Sequence, residues 1–204
     1  MTESRPDGLK NLLDRLGMEV SFGHHHACIG KALEDKLTTV QWDTAFEFWS
    51  FTLKAHFEVA VLGLTRLLDR KARTVSLERL SDVAESEAGQ FCEMSAEDVR
   101  RQLVPSIRKE VEELKKVVEP LKKRRDEVLA HNALQRTLTD QEWNVAWAHL
   151  EGAYSRVRDL VNRVYRAYKG RDAIIIWGAK QATISEELRR ILTIGIGKDP
   201  QAQA

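Results

Sequence analysis

Between Thr39 and Asp69 apolar residues crowd a single stretch so densely that any helix formed there is oily on most of its circumference. Trp42, Phe46, Trp49, Leu53, Phe57, Ala60, Leu64 and Leu67 recur every three or four residues and share one helical face. Phe48, Phe51, Ala55, Val59 and Leu62 fill a neighbouring face. Only a ribbon of Asp43, Glu47, Ser50, Lys54 and Glu58 remains for water. Such a helix has to be covered on most of its sides. It is either the central helix of a bundle or one half of a dimer seam.

The rest of the chain supplies helices to pack against it. Ser76 reads as an N-cap for a short helix through Leu77, Leu80 and Val83. Ser95 is a better cap, because Glu97 and Asp98 suit the positive end of the helix dipole. From there a long helix runs towards residue 131, with Val104, Ile107, Val111, Leu114, Val118, Leu121 and Val128 at heptad spacing. Pro120 predicts a kink near residues 116–120. Thr139 caps a last long helix, whose stripe extends from Trp143 through Trp147, Leu150, Tyr154, Val157, Val161 and Val164 to Tyr168, with Gly170 to end it. Residues 9–16 and 27–37 read as two short helices, Ile174 to Trp177 as strand or turn, and Ser185 to Leu192 as a closing helix. No linker or low-complexity tract divides the 204 residues. The expectation is one all-α domain over 1–204: a bundle of about five to seven helices, two long ones in the C-terminal half, with 172–204 as a C-terminal extension.

Composition narrows the function classes. The chain is 43% hydrophobic and 31% charged, with a formal net charge of +1, so it does not coat nucleic acid through bulk charge, and any RNA contact must be a local patch. No apolar run approaches the ~18 residues of a membrane span, and the first residues lack the apolar core of a secretory signal. Cys28 and Cys92 are too few for a disulfide framework and neither has a His at a spacing suited to thiolate chemistry, which together predict a cytoplasmic protein. No glycine-rich phosphate loop is present. His24-His25-His26 invites a metal reading, but adjacent helical residues diverge by ~100° and only Cys28 stands at ligand spacing. A loop or a helix start is expected there, and no metal or cofactor is called for. His56 reads as a satisfied core residue and His149 as a surface one.

The segment from Lys122 to Asn132, KKRRDEVLAHN, carries the chemistry. Cations and a His near a helix C-terminus complement its negative end, and Asn132 is a common helix stop, so the segment has a purely structural explanation. A string of Arg, four to six residues, then His arises by chance about twice at this composition, so the string decides nothing. The heptad phase says more. Carried on from Leu121, the core positions are 125 and 128, so Arg125 stands where an apolar residue was due. A guanidinium cannot shed its charge and needs a carboxylate, a water-filled cavity or a phosphate. An internal pair, for instance with Asp69, and a functional anion site are both open. Six residues of helix give ~9 Å of rise and ~240° of turn, so Arg125 and His131 of one straight helix point to different places. Using both together takes a helix broken near 130 or a second copy of the chain. Arg124 and Glu127 share the face of His131, and Glu127 is placed to steady its ring.

Arg125 to His131, RDEVLAH, on the later part of a long helix resembles the signature of the HEPN superfamily. Leu64 to Arg70 and Thr74 to Leu80 are similar to its AbiU-type abortive-infection branch. Asp126 stands where the wider superfamily commonly has Asn or His. The resemblance implies an all-α homodimer that cleaves RNA without metal, the two motifs meeting across the dimer axis. His131 would then be the general acid or base and Arg125 the phosphate ligand, with Arg124, Asp126, Glu127 and Asn132 in support. A toxin or phage-defence role, restrained by an antitoxin or other regulatory protein, goes with it. Lys122 and Lys123, and Arg156, Arg163 and Arg166 on the last long helix with Tyr154, Tyr165 and Tyr168 between them, are candidate contacts for an RNA backbone. They fit equally a solvated face with its tyrosines in the core. The alternative for the whole chain is a non-catalytic helical module binding RNA, nucleotide or a protein.

Overall fold

The computed structural model describes residues 8–37, 43, 45–69, 75–130, 140–170 and 190, the side chains of 124–130 and 140–146 excepted. Five helices of ten residues or more carry the described fold: α1 (Leu9–Lys36), α2 (Phe46–Leu67), α3 (Leu77–Ser86), α4 (Val104–Ala130) and α5 (Asp140–Lys169). No strand occurs among the described residues, and the all-α bundle with two long C-terminal helices is what the sequence predicts. Thr139, the run from Ile174 to Trp177 and most of Ser185 to Leu192 lie outside the described residues.

The four long helices alternate in direction around a common core. Glu19 meets Arg66 at 3.3 Å and His26 meets His56 at 2.9 Å, so α1 and α2 are antiparallel. Glu110 pairs with Arg156 at 2.8 Å, and the amides of Cys92 and Glu93, ahead of α4, donate to the Tyr168 and Ala167 carbonyls at the end of α5, so α4 and α5 are antiparallel. Each of α1 and α4 packs on both α2 and α5, while α3 bridges α1 and α4 at the lower end. Arg108 reaches Glu85 at 2.6 Å and Lys115 reaches Glu78, tying α3 to α4. Leu9 opens α1 by donating its amide to the Glu87 carboxylate at 3.0 Å. The buried stripe of α4 follows the heptad: Val104, Ile107, Val111, Leu114, Val118 and Leu121 all lie in the core.

The caps at Ser76 and Ser95 form as the sequence predicts. Each hydroxyl accepts the amide three residues on, Arg79 at 3.3 Å and Asp98 at 3.1 Å. Gly170 ends α5 at φ 112°, a left-handed conformation that costs a glycine little. Between Ser95 and α4 the chain takes one α turn (Ala96–Asp98) and then a π turn (Val99–Leu103), so the long helix is entered through a wider coil than the heptad implied. α4 remains helical through Pro120.

The N-terminal region differs from its sequence reading. Residues 9–16 and 27–37 are not two short helices but parts of the single 28-residue α1. The triple histidine is neither loop nor helix start; it lies mid-helix. Gly23 and Gly30, which weaken a helix read in isolation, are where α5 comes closest. A Cβ on Gly23 would lie 1.9 Å from the Tyr154 hydroxyl, and one on Gly30 would lie 2.1 Å from the Trp147 ring. The two glycines are seven apart, and so are the two aromatics, so an antiparallel pair of helices locks at two levels. Tyr154 and Trp147 are fully buried, and the Tyr154 hydroxyl donates to the Ala60 carbonyl at 2.7 Å.

Candidate functional site

Residues 122–130 of the Lys122–Asn132 segment form the last turns of α4, at the upper end of the bundle. Leu121 is its last described core residue, and the backbone stays helical through Ala130, which keeps position 125 on the core stripe one turn later. The side chains of Arg124, Arg125, Asp126 and Glu127 are not among the described ones, and His131 and Asn132 lie outside the described residues, as does any Arg125–Asp69 pair. Trp147 marks the level of the uppermost lock, and the Glu110–Arg156 register places position 125 about 9 Å beyond it. That is the level where α1 ends and α2 begins.

The predicted basic residues divide between the two ends. Lys122 is half-buried and holds Glu119 at 3.4 Å, and Lys123 is exposed. Arg156 is committed to Glu110 at 2.8 Å. Arg163 and Arg166 are exposed, and neither makes an ion pair among the described residues. By helical rise they lie about 35 Å from the level of Arg125, at the lower end of α5. Of the interleaved tyrosines, Tyr154 is in the core, its phenol held protonated by burial, and cannot stack on a base. Tyr168 packs edge-on against Phe91 and carries the Lys169 ammonium 4.7 Å above its ring.

A histidine cluster that the sequence did not disclose lies where α1 crosses α2. The Nδ1 atoms of His26 and His56 are 2.9 Å apart, and Phe22 packs edge-on to the His26 ring. Burial lowers the pKa of both, followed by the field of His25 at His26 and of His26 at His56. His24 stacks on Tyr154 and is lowered by burial, then by Arg158 and His25. One neutral ring must donate and the other accept, so the pair holds together only while at least one is uncharged. His56 is thus satisfied, by His26, but is half-buried rather than in the core, and His149 is exposed as the sequence predicts. Among the described residues no three His, Cys, Asp or Glu side chains converge as metal ligands. Burial pushes the Cys28 thiol up to about 11, so it is no nucleophile at neutral pH. The sequence signal for the histidine pair was the 3.6-residue phase of α1 once Gly23 and Gly30 are read as contacts rather than breaks.

A family model described as HEPN_AbiU2 (AbiU2) matches residues 9–174. The chain belongs to the AbiU2 family of HEPN domains. The match spans α1 to α5 and includes the Arg125–His131 segment, so the sequence resemblance extends through the N-terminal helix that the motifs alone left unmatched. The module is accordingly an abortive-infection-related HEPN domain. No curated protein and no solved structure matches the chain. No helix among the described residues is long and apolar enough to cross a membrane.

Proposed function

We propose that this AbiU2-family domain is an endoribonuclease that needs no metal and acts as a homodimer, a toxin or phage-defence effector. The observation that carries the reading is the heptad register of α4, buried at every core position through Leu121 and then occupied by Arg125. A permanent cation on a core stripe at the end of a bundle suits an anion better than a packed interior does. His131 accepts the proton of a ribose 2′-hydroxyl, whose oxygen attacks the adjacent phosphorus. The P–O5′ bond breaks, and the departing 5′-oxygen takes a proton from the partner copy's imidazolium. Arg125 holds the non-bridging oxygens as their charge grows. The products carry a 2′,3′-cyclic phosphate and a 5′-hydroxyl, and DNA, lacking the 2′-hydroxyl, is not cut.

Arg124, Glu127, Asp126 and Asn132 orient this pair, and Lys122 and Lys123 receive the flanking backbone. Arg163 and Arg166 contact only an RNA long enough to follow α5 to its far end. Such an activity in a host cell calls for a restraining protein partner. The test is incubation with total RNA in EDTA, beside a His131→Ala variant. Cleavage by the parent alone supports the reading. If neither protein cuts and the variant loses helix content, the segment is structural and the domain is a non-catalytic binding module.

A further inference from the structure

The three histidines in a row on α1 diverge, as adjacent helical residues must. His25 donates from its Nδ1 to the Ser21 carbonyl at 2.9 Å, and His24 stacks on Tyr154. His26 faces α2, where it meets the ring of His56 from 30 residues further along the chain. The two imidazoles that come together are therefore not neighbours in sequence. They stand on separate helices, each held in place beside its ring. Phe22 packs edge-on to His26 at 4.8 Å between centroids, and Phe57, next to His56, is buried against Trp147.

The contact between them joins two ring nitrogens, Nδ1 to Nδ1, at 2.9 Å. One proton between two lone pairs satisfies it, and so does one metal ion. Nitrogens bound at about 2.0–2.1 Å to a common ion lie about 2.9 Å apart at a right angle and about 3.4 Å apart at the tetrahedral angle. The observed separation matches adjacent positions of a square-planar or octahedral ion, and a tetrahedral one needs the rings to open by about 0.5 Å. Tetragonal sites of nitrogen and oxygen suit Ni2+ and Cu2+. Burial holds both rings below the ordinary imidazole value, which leaves them neutral at pH 7, as metal ligands have to be. Both are only half-buried, so water reaches the remaining positions. We infer that His26 and His56 chelate one divalent ion of the nickel–copper group, with water as its other ligands, and that the ion clamps α1 to α2. By helical rise His26 lies about 15 Å below the end of α1 and the level of position 125, so the ion takes no part in the RNA chemistry proposed above.

Isothermal titration calorimetry of the untagged protein with NiCl2 at neutral pH tests it. The parent takes up one equivalent at micromolar concentrations. His26→Gln and His56→Gln each bind at least about tenfold more weakly, and His25→Gln, whose ring is turned to Ser21, binds as the parent does. An ion that grips two helices of the folded chain alone also raises the unfolding temperature, so Ni2+ shifts the parent and His25→Gln but not His56→Gln. Circular dichroism shows which variants are folded, and the two glutamine variants lie on different helices, so either one decides. No uptake by the parent, full uptake by a folded His26→Gln or His56→Gln, or an equal loss in His25→Gln, which marks chelation within the histidine run, overturns the inference. None of these readouts depends on whether RNA is cut.

Discussion

Gly23→Ala adds one methyl group at the closest approach made to any of the described glycines. In an exposed helix that change stabilises by about 1 kcal/mol, since alanine has less backbone freedom to lose. Here the added Cβ falls 1.9 Å from the Tyr154 hydroxyl and 2.5 Å from its ring carbon, so the ring or the helix has to move by more than an ångström. Neither yields easily. Tyr154 is fully buried, and its hydroxyl is anchored to the Ala60 carbonyl at 2.7 Å. Overpacking costs about 1–3 kcal/mol, and loss of the buried hydrogen bond adds about 1 kcal/mol. Net of the helix-propensity gain, Gly23→Ala should destabilise by about 1–3 kcal/mol. Gly152→Ala on α5 is the matched control, because nothing lies within 4 Å of its Cβ, and it should stabilise by about 1 kcal/mol. Urea unfolding followed by circular dichroism measures both. A Gly23→Ala protein as stable as the parent, or two changes of the same sign, would refute the lock between α1 and α5.

Arg125→Leu restores the apolar residue at a core-phase position; it should raise the urea midpoint while abolishing cleavage of RNA, and a loss of stability would instead indicate a native Arg125–carboxylate pair. Tyr154→Phe keeps the ring in its notch and removes only the bond to Ala60, so it should cost about 1 kcal/mol in the same unfolding assay, less than Gly23→Ala. His24, His26 and His56 titrate below the ordinary imidazole value, so the unfolded chain binds more protons than the folded one once the pH drops under about 6.5. Stability should therefore be full above that pH and fall as pH drops through the lowered values, with a shallower fall in His56→Gln; equal slopes in parent and variant would count against the histidine pair.

What the sequence disclosed and what it hid follow from the kind of signal each residue carries. The α4 register was legible because six apolar residues at heptad spacing leave one solution, and Ser76 and Ser95 because a cap acts within three residues of itself. The continuity of α1 is hidden in the sequence: Gly23 and Gly30 weaken a helix locally, while each is a notch for an aromatic more than 100 residues away. A spacing of seven on both partners was present in the sequence, but only packing shows that the two sevens correspond. The same holds for the basic stripe of α5. Helical phase put Arg156, Arg163 and Arg166 near one face, while phase says nothing of height along the bundle or of the Glu110 carboxylate that occupies Arg156.

Height is also what reconciles Arg125 with the core it interrupts. A buried charge is costly where side chains surround it. The uppermost lock is Gly30 on Trp147, with Phe57 edge-on to the same indole at 5.4 Å between centroids. Leu121 closes the described core beside it. Position 125 comes a turn later, at the level where α1 ends at Lys36 and α2 begins at Phe46. The register then works as a positioning device: α4 carries the backbone of position 125 on from Leu121 in one continuous helix, and a guanidinium at that position costs least where it meets water or a phosphate. If Arg125→Lys, which keeps the charge but loses the planar fork, retained full RNA cleavage, that rigid aim would be irrelevant, and the case for a phosphate ligand built on the helical register would fail with it.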